Sequence, residues 1–438
     1  MSRYTPAMLG ALLALAACGS AKKDTDQTGP RPQLPGLSET LLPPMKIATP
    51  ASWNGARPDV PAGFTITPMA VDLKVPRQIL VLPNGDILIA EGAGGSAPKI
   101  RPKDVIAGFI KARGKSGVEG GDRITLLRDR DRDGRPELRT VFLDGLNAPY
   151  GLALVGSSLY VANQDALLEF PYTEGQIQIT ASGREVAKLP SELNHHWTKA
   201  LVASPDGSRL YVGIGSNSNI MERGPEAEID RAMVWEIDPR SGAYRPFATG
   251  LRNPTALAFN PETRVLWAAV NERDELGDHL VPDYITSVRD GAFYGWPYSY
   301  WGDNIDPRIR PRKPDMVKRA VVPDYAVGSH TAPLGLAFAT AEIFGPGFAN
   351  GAFVGLHGSW NRHQLSGYKV IWIPFSNGRP AGKPRDFVSG FLDGKGKARG
   401  RPVGVTVDPV GKALLIADDL SNTVWRVART PGTDGTQQ

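Results

Sequence analysis

The 438-residue sequence predicts an all-β fold, a six-bladed β-propeller, on three observations. It holds 49 Gly and 38 Pro, as a chain of many short strands requires, because Gly supplies positive φ and Pro presets turn geometry. It repeats one pattern six times: an apolar alternating segment, a turn rich in Pro, Asn, Asp or Gly, and a second apolar segment. The copies begin 49 to 79 residues apart, which is long for lone hairpins and suits a four-stranded blade with its loops. A sandwich or barrel of similar hairpins is the alternative, and the wide spacing and internal self-similarity weigh against it.

Residues 1–17 read as a signal peptide: Arg3, an apolar stretch from Met8 to Ala17, then Leu15-Ala16-Ala17-Cys18, which looks like a bacterial lipobox. The apolar run is shorter than the roughly 20 residues of a permanent span. Cys18 is the single cysteine, so an intramolecular disulfide, a CxxC pair and a thiolate metal cluster are excluded, and lipid attachment is the task left to it. Gly19 and Ser20 after the acylation site point to the outer membrane, hence to a lipid-anchored periplasmic protein. Residues 18–58, rich in Pro, Gly, Lys, Asp, Thr and Ser, read as a flexible tether.

The propeller domain is expected over 59–430. Its hairpins are Gln78–Glu91, Tyr150–Asn163, Lys199–Gly213, Thr255–Asn271, Leu334–His357 with an insertion, and Val403–Asp418, with period-2 alternation on both arms. The segments DGLNAPYGLAL from Asp144 and TGLRNPTALAF from Thr249 share the frame GLxxPxxLA, so blades are related internally. Residues 431–438 read as a disordered tail. The formal net charge is +5; the basic residues read as scattered among acidic ones without a long run, which argues against nucleic acid and leaves a weak attraction to anionic partners.

In a propeller, residues just upstream of equivalent hairpins meet around one axis. Those residues are Arg77 and Gln78, Asn147 and Tyr150, His195 and His196, Arg252 and Asn253, Tyr325 and His330, and Arg399 with Arg401. Four arginines around one cavity call either for a small polyanionic ligand or for acidic partners elsewhere on that face; their recurrence at equivalent blade positions favours the ligand. The same cations would keep His196 neutral and able to act as a base.

These residues lie in stretches that resemble the pyrroloquinoline-quinone-dependent glucose and sorbosone dehydrogenases: NHHWTKALVASPDGSRLYVG at 194–213, GLRNPTALAFNP at 250–261, YGWP at 294–297, HTAPLGLAF at 330–338, GSWNR at 358–362 and RGRPVGV at 399–405. The likeness covers nearly the whole folded region, with its motifs in order. It implies His196 as general base, Arg252 and Asn253 on the quinone oxygens, Arg399 and Arg401 on cofactor carboxylates, and Gln78, Tyr325, His330 and Arg362 lining the cofactor and substrate pocket. It also implies Ca²⁺ beside the quinone, held in part by backbone carbonyls of Arg273 and Asp274. Two departures stand out: NERDELGD replaces the glucose enzymes' Gly-Pro element, and Asn361-Arg362 stand where they place a lysine. A sugar substrate, an aldose or a sorbosone-like aldehyde, and an external electron acceptor, a quinone or a cytochrome c, complete the implied reaction, since the sequence has no CxxCH haem site.

Two further motifs are weaker. Gly92–Ala97 matches GxGxxA, but Pro98 and a basic stretch follow where a dinucleotide site needs a helix. Asp129, Asp131 and Asp133 form DxDxDG, the first half of a calcium loop, with Glu137 at the ninth place and Thr140 where a bidentate acid belongs. A propeller lactonase built on a channel-bound Ca²⁺, and a noncatalytic carbohydrate- or protein-binding propeller, are the competing functions; the arginine and histidine set favours an anionic organic cofactor over the first.

Overall fold

The computed structural model describes residues 26–38, 45–95, 108–109, 112–114 and 119–431. Cys18, the signal peptide and most of the C-terminal tail lie outside the described residues, as do Ser96 and Ala97 of the GxGxxA stretch. Six antiparallel sheets form the blades of a propeller. Their innermost strands are Pro76–Val81, Gly151–Val155, Lys199–Ala203, Pro254–Phe259, Pro333–Ala339 and Pro402–Asp408. Each packs against the next, and the sixth against the first, which closes the ring.

The six expected hairpins are the two inner strands of the six blades, the second strands being Ile87–Glu91, Ser158–Ala162, Leu210–Ile214, Leu266–Val270, Gly351–Leu356 and Ala413–Asp418. The last blade takes its outermost strand, Phe64–Ala70, from upstream of the first blade and pairs it with Thr423–Arg429. Closing the ring with the two ends of the domain leaves no blade incomplete.

The expected alternation on both arms is corrected for the second strands. Five of the six are buried at every residue, because a neighbouring blade covers each face and both sets of side chains become core. Trp267, Ile285, Tyr325, Leu336 and Val354 exemplify one such layer, between the fourth and fifth blades.

The tether expectation is also corrected. Thr28–Gly29 adds a fifth strand to the fourth blade by pairing with Val327 and Ala326, and the buried Gln27 side chain donates to the His279 carbonyl at 2.6 Å. Further on, Ala48 joins the core and Trp53 packs edge-on against Phe391 and Trp425. Much of this Pro-rich segment therefore lies on the propeller, held by a few apolar anchors that its composition conceals. No described helix is long and apolar enough to cross a membrane.

Candidate active site

An antiparallel hairpin brings the start of its first strand and the end of its second to the same edge. A blade can therefore supply the channel mouth from two places. From the first strands and their approaches come Arg77, His195 and His196, Arg252 and Asn253, His330, and Arg401. From beyond the second strands come Ser216 to Asn219, Glu272 to Asp274, His357 and Asp419.

Two clusters of contacts stand out among these groups. Asp419 accepts from Arg77 at 3.0 Å, lies 3.4 Å from Arg401 Nε and meets His357 Nε2 at 3.1 Å. Burial opposes ionisation of Asp419, but the charges of His357, Arg401 and Arg77 hold its carboxyl far below the usual range. The Arg77 guanidinium sits 5.1 Å over the Trp197 ring, one residue after His196. On the opposite side, Asp274 accepts from Asn361 at 2.6 Å and meets His330 Nδ1 at 3.3 Å, with Arg252 at 3.8 Å. Burial works against a proton on His330, yet the Asp274 hydrogen bond and charge outweigh it and raise its pKa.

Below this ring the channel is crossed. The Gln78 amide donates to the carbonyls of Leu152 and Leu201, both at 3.1 Å, and the Tyr150 hydroxyl donates to that of Thr255 at 3.1 Å. Beyond them lies a largely apolar cavity of about 230 Å³, bounded by Val202, Phe259, Leu336 and Val407 among others. Gln78 thus spans the channel rather than standing at its mouth.

His196 Nδ1 lies 2.7 Å from the Ser216 carbonyl and 3.1 Å from its hydroxyl. A carbonyl only accepts, so Nδ1 carries the proton and Nε2 holds the ring's basic lone pair, as a general base requires. Gly215 makes this approach possible: a Cβ there would collide with both Asn253 Oδ1 and His196 Cβ. Gly215→Ala is therefore expected to cost at least tenfold in kcat with a Tm change of a few degrees, measured by steady-state kinetics beside thermal denaturation.

The loop from Gly215 to Asn219 is fastened from behind. Glu228 accepts from Asn217 N at 2.7 Å and from the Ser218 hydroxyl, and Arg231 donates to the Gly215 carbonyl at 3.3 Å. Burial pushes Glu228 up to about 7, against the hydrogen bonds of Ser218 and Asn217 and the charge of Arg231, with Glu222 adding repulsion. A carboxyl raised in the folded state binds its proton more tightly than in the unfolded chain. Its contribution therefore falls as pH climbs from the ordinary carboxylate range to about 7 and is level above that. Glu228→Gln should flatten the decline of Tm with pH across that window, read from denaturation scans between pH 4.5 and 8 (roughly the span between unfolded and folded values).

Several sequence-derived site residues need correction. Tyr325 does not line the pocket: it opens the fourth strand of the fourth blade, Tyr325–Ser329, is fully buried between blades, and donates to the Gly382 carbonyl at 3.0 Å. Arg399 does not join Arg401; its guanidinium lies 5.8 Å over the Trp53 ring. The arginines are not left unpaired either, since Arg77 and Arg401 share Asp419. Arg252 spends four N–H bonds on Asn219, Asn271 and Glu272. Arg362 Nη1 donates to the Ser329 carbonyl at 3.2 Å.

At Arg273 and Asp274, where the resemblance implies a cation held in part by backbone carbonyls, the side chains are already engaged. The Arg273 side chain is buried beside Asp306 at 3.2 Å. The Asp274 carbonyl accepts from Asn219 and its carboxylate faces His330 and Arg252, so an added cation would meet positive neighbours. In the DxDxDG loop, Asp129, Asp131 and Glu137 place ligand atoms within 4.8 Å of one another. Asp133 is outside this group and accepts from Arg135 N at 2.7 Å, because the turn aims it along the backbone.

A model of the TrAA12-like family matches residues 120–284 and 315–430. The chain is similar to a pyrroloquinoline quinone-dependent pyranose dehydrogenase of Coprinopsis cinerea, 22% identical over 436 residues, covering 85% of this chain and 55% of that protein. It is also similar to an aldose sugar dehydrogenase of Escherichia coli, 32% identical over 188 residues, 39% of this chain and 47% of that protein. The match thus spans about half the length of each. The solved holo PQQ domain of the Coprinopsis cinerea pyranose dehydrogenase has the same fold, with a TM-score of 0.69, 20% identity, and coverage of 85% of this chain and 97% of that one.

Proposed function

Since this chain belongs to the TrAA12-like family, we propose that it is a sugar-oxidising dehydrogenase that takes pyrroloquinoline quinone at the channel mouth. One observation carries the reading: four buried guanidiniums, Arg77, Arg252, Arg362 and Arg401, gather at the mouth, where Asp419 lies against Arg77 and Arg401 and Asp274 against Arg252. Burial pushes the nearby Glu272 up to about 7, so it is only partly ionised near neutral pH, and Asp283 up to about 6. The surplus is positive, as a tricarboxylate needs.

Orphaned acceptors agree with a polar occupant: Asn253 Oδ1, Asn361 Oδ1 and Ser329 Oγ are buried without a hydrogen-bond partner among the described residues. Arg77, Arg401 and Arg362 would hold the carboxylates, and Asn253 with the charge of Arg252 would face the quinone oxygens. The cofactor, when bound, supplies an electrophilic carbon that accepts hydride. The chain's own part is to orient the sugar and remove its hydroxyl proton. His196 does the second through Nε2, with Nδ1 anchored on Ser216 so that the ring presents one fixed nitrogen.

The substrate class is a pyranose or open aldose, oxidised at a ring hydroxyl or, for a hydrated aldehyde such as sorbosone, to the acid. The test is titration of the full chain with the quinone while following dye reduction by a panel of aldoses and sorbosone. Quinone-dependent turnover supports the reading, and its absence with every sugar rejects it.

A further inference from the structure

The chain's entire net charge sits in twelve residues. Arg308, Arg310, Arg312, Lys313, Lys318 and Arg319 stand against a single acid, Asp315, and the rest of the chain carries 44 basic and 44 acidic residues. This overturns the expectation of scattered charge. All six basic residues are exposed, on an insertion between Pro282–Ser287 and Tyr325–Ser329 that ends in a short helix, Pro314–Arg319. Arg308 pairs with Glu275 at 2.9 Å and Arg310 donates to the carbonyls of Pro307 and Ile309. The other four make no ion pair among the described residues. Ile305 and Val322, 48% and 54% exposed, add apolar surface beside them.

The insertion is seated on the site. Trp296 donates to the carbonyl of Asn219 at 3.0 Å, Asp306 lies 3.2 Å from Arg273, and Arg308 reaches Glu275 next to Asp274. A partner held here stands beside the mouth.

We propose that residues 308–319 are the docking surface for an acidic redox protein that collects the electrons of the reaction, an inference that rests on the dehydrogenase reading. Converting one alcohol to a carbonyl removes two electrons and two protons. Two one-electron acceptor proteins take one electron each in succession, and the protons pass to solvent. The sequence offers neither a CxxCH site for attached haem nor the cysteines of an iron–sulfur cluster to hold them. Charge complementarity of this kind speeds encounter by about 10 to 10³ and fades with salt.

The experiment compares the full chain with a variant carrying Arg312→Glu, Lys313→Glu, Lys318→Glu and Arg319→Glu, none of which touches the mouth. Binding of an acidic c-type cytochrome to the quinone-free protein is measured by calorimetry at low and raised salt, with a basic cytochrome as control. Sugar-driven reduction of that cytochrome and of phenazine methosulfate is measured on the loaded enzyme. Expected are at least tenfold weaker binding and slower cytochrome reduction in the variant, the same loss in the native chain on adding about 0.2 M salt, and dye reduction within twofold. Cytochrome binding that is equal in both proteins overturns the docking surface. So does loss of sedimentation with phosphatidylglycerol vesicles but not of cytochrome binding, which makes the patch a membrane contact. Failure of dye reduction in the native chain rejects the dehydrogenase reading, while the binding measurement still decides this one.

Discussion

His196→Ala lowers kcat of the quinone-loaded enzyme by about 10² to 10⁴, the range that a positioned general base contributes, while leaving the fold and cofactor affinity close to native. The expectation follows from the ring's surroundings. Nδ1 is committed to Ser216, so Nε2 is the nitrogen that serves the substrate, and alanine removes it without unpairing a buried charge. Steady-state kinetics with a good sugar, beside a Tm measurement, checks it. A drop of less than tenfold means that another group takes the proton.

Asp419→Ala has the largest expected effect on stability. It leaves Arg77 and Arg401, with side chains 11% and 5% exposed, without their shared counter-charge, and removing one partner of a buried ion pair costs about 3–5 kcal/mol. For a domain of this size that corresponds to a Tm lower by roughly 5 °C. Pyrroloquinoline quinone should restore more Tm in the variant than in the native chain, because its carboxylates replace the lost one. Thermal scans with and without the quinone read both effects. Equal stabilisation of the two proteins would place the anion elsewhere.

The fold was legible because every blade repeats one hairpin, and each of the six hairpins read from the sequence forms the inner strands of a blade. Half of the mouth was legible for the same reason: His196, Arg252, Asn253, His330 and Arg401 stand just before an innermost strand, and Arg77 near the start of one. The other half was missed although the same hairpin implies it. Ser216, Asp274, His357 and Asp419 follow the second strands, which end at that mouth, so a reading of both hairpin ends would have found them.

Tyr325 misled because it precedes the fifth hairpin at the expected distance, yet the fourth strand of the fourth blade intervenes and carries it into the core. Arg399 misled because the resemblance couples it with Arg401, whereas here the strand begins only at Pro402 and the Arg399 side chain turns to Trp53. The basic insertion was missed because it lies between two strands of one blade, where the hairpin repeat gives no register. Its charge was in the sequence throughout, but only its seat on Arg273 and Glu275 connects it with the mouth.

The most direct test of the central claim is equilibrium binding of pyrroloquinoline quinone to the full chain, followed by quenching of tryptophan fluorescence, since Trp197 lies under Arg77 at the mouth. Saturation at one quinone per chain, weakened at least tenfold by Arg401→Ala, is the expected result. Absence of saturable quenching, or binding that Arg401→Ala leaves unchanged, would contradict a quinone site at the ring of arginines.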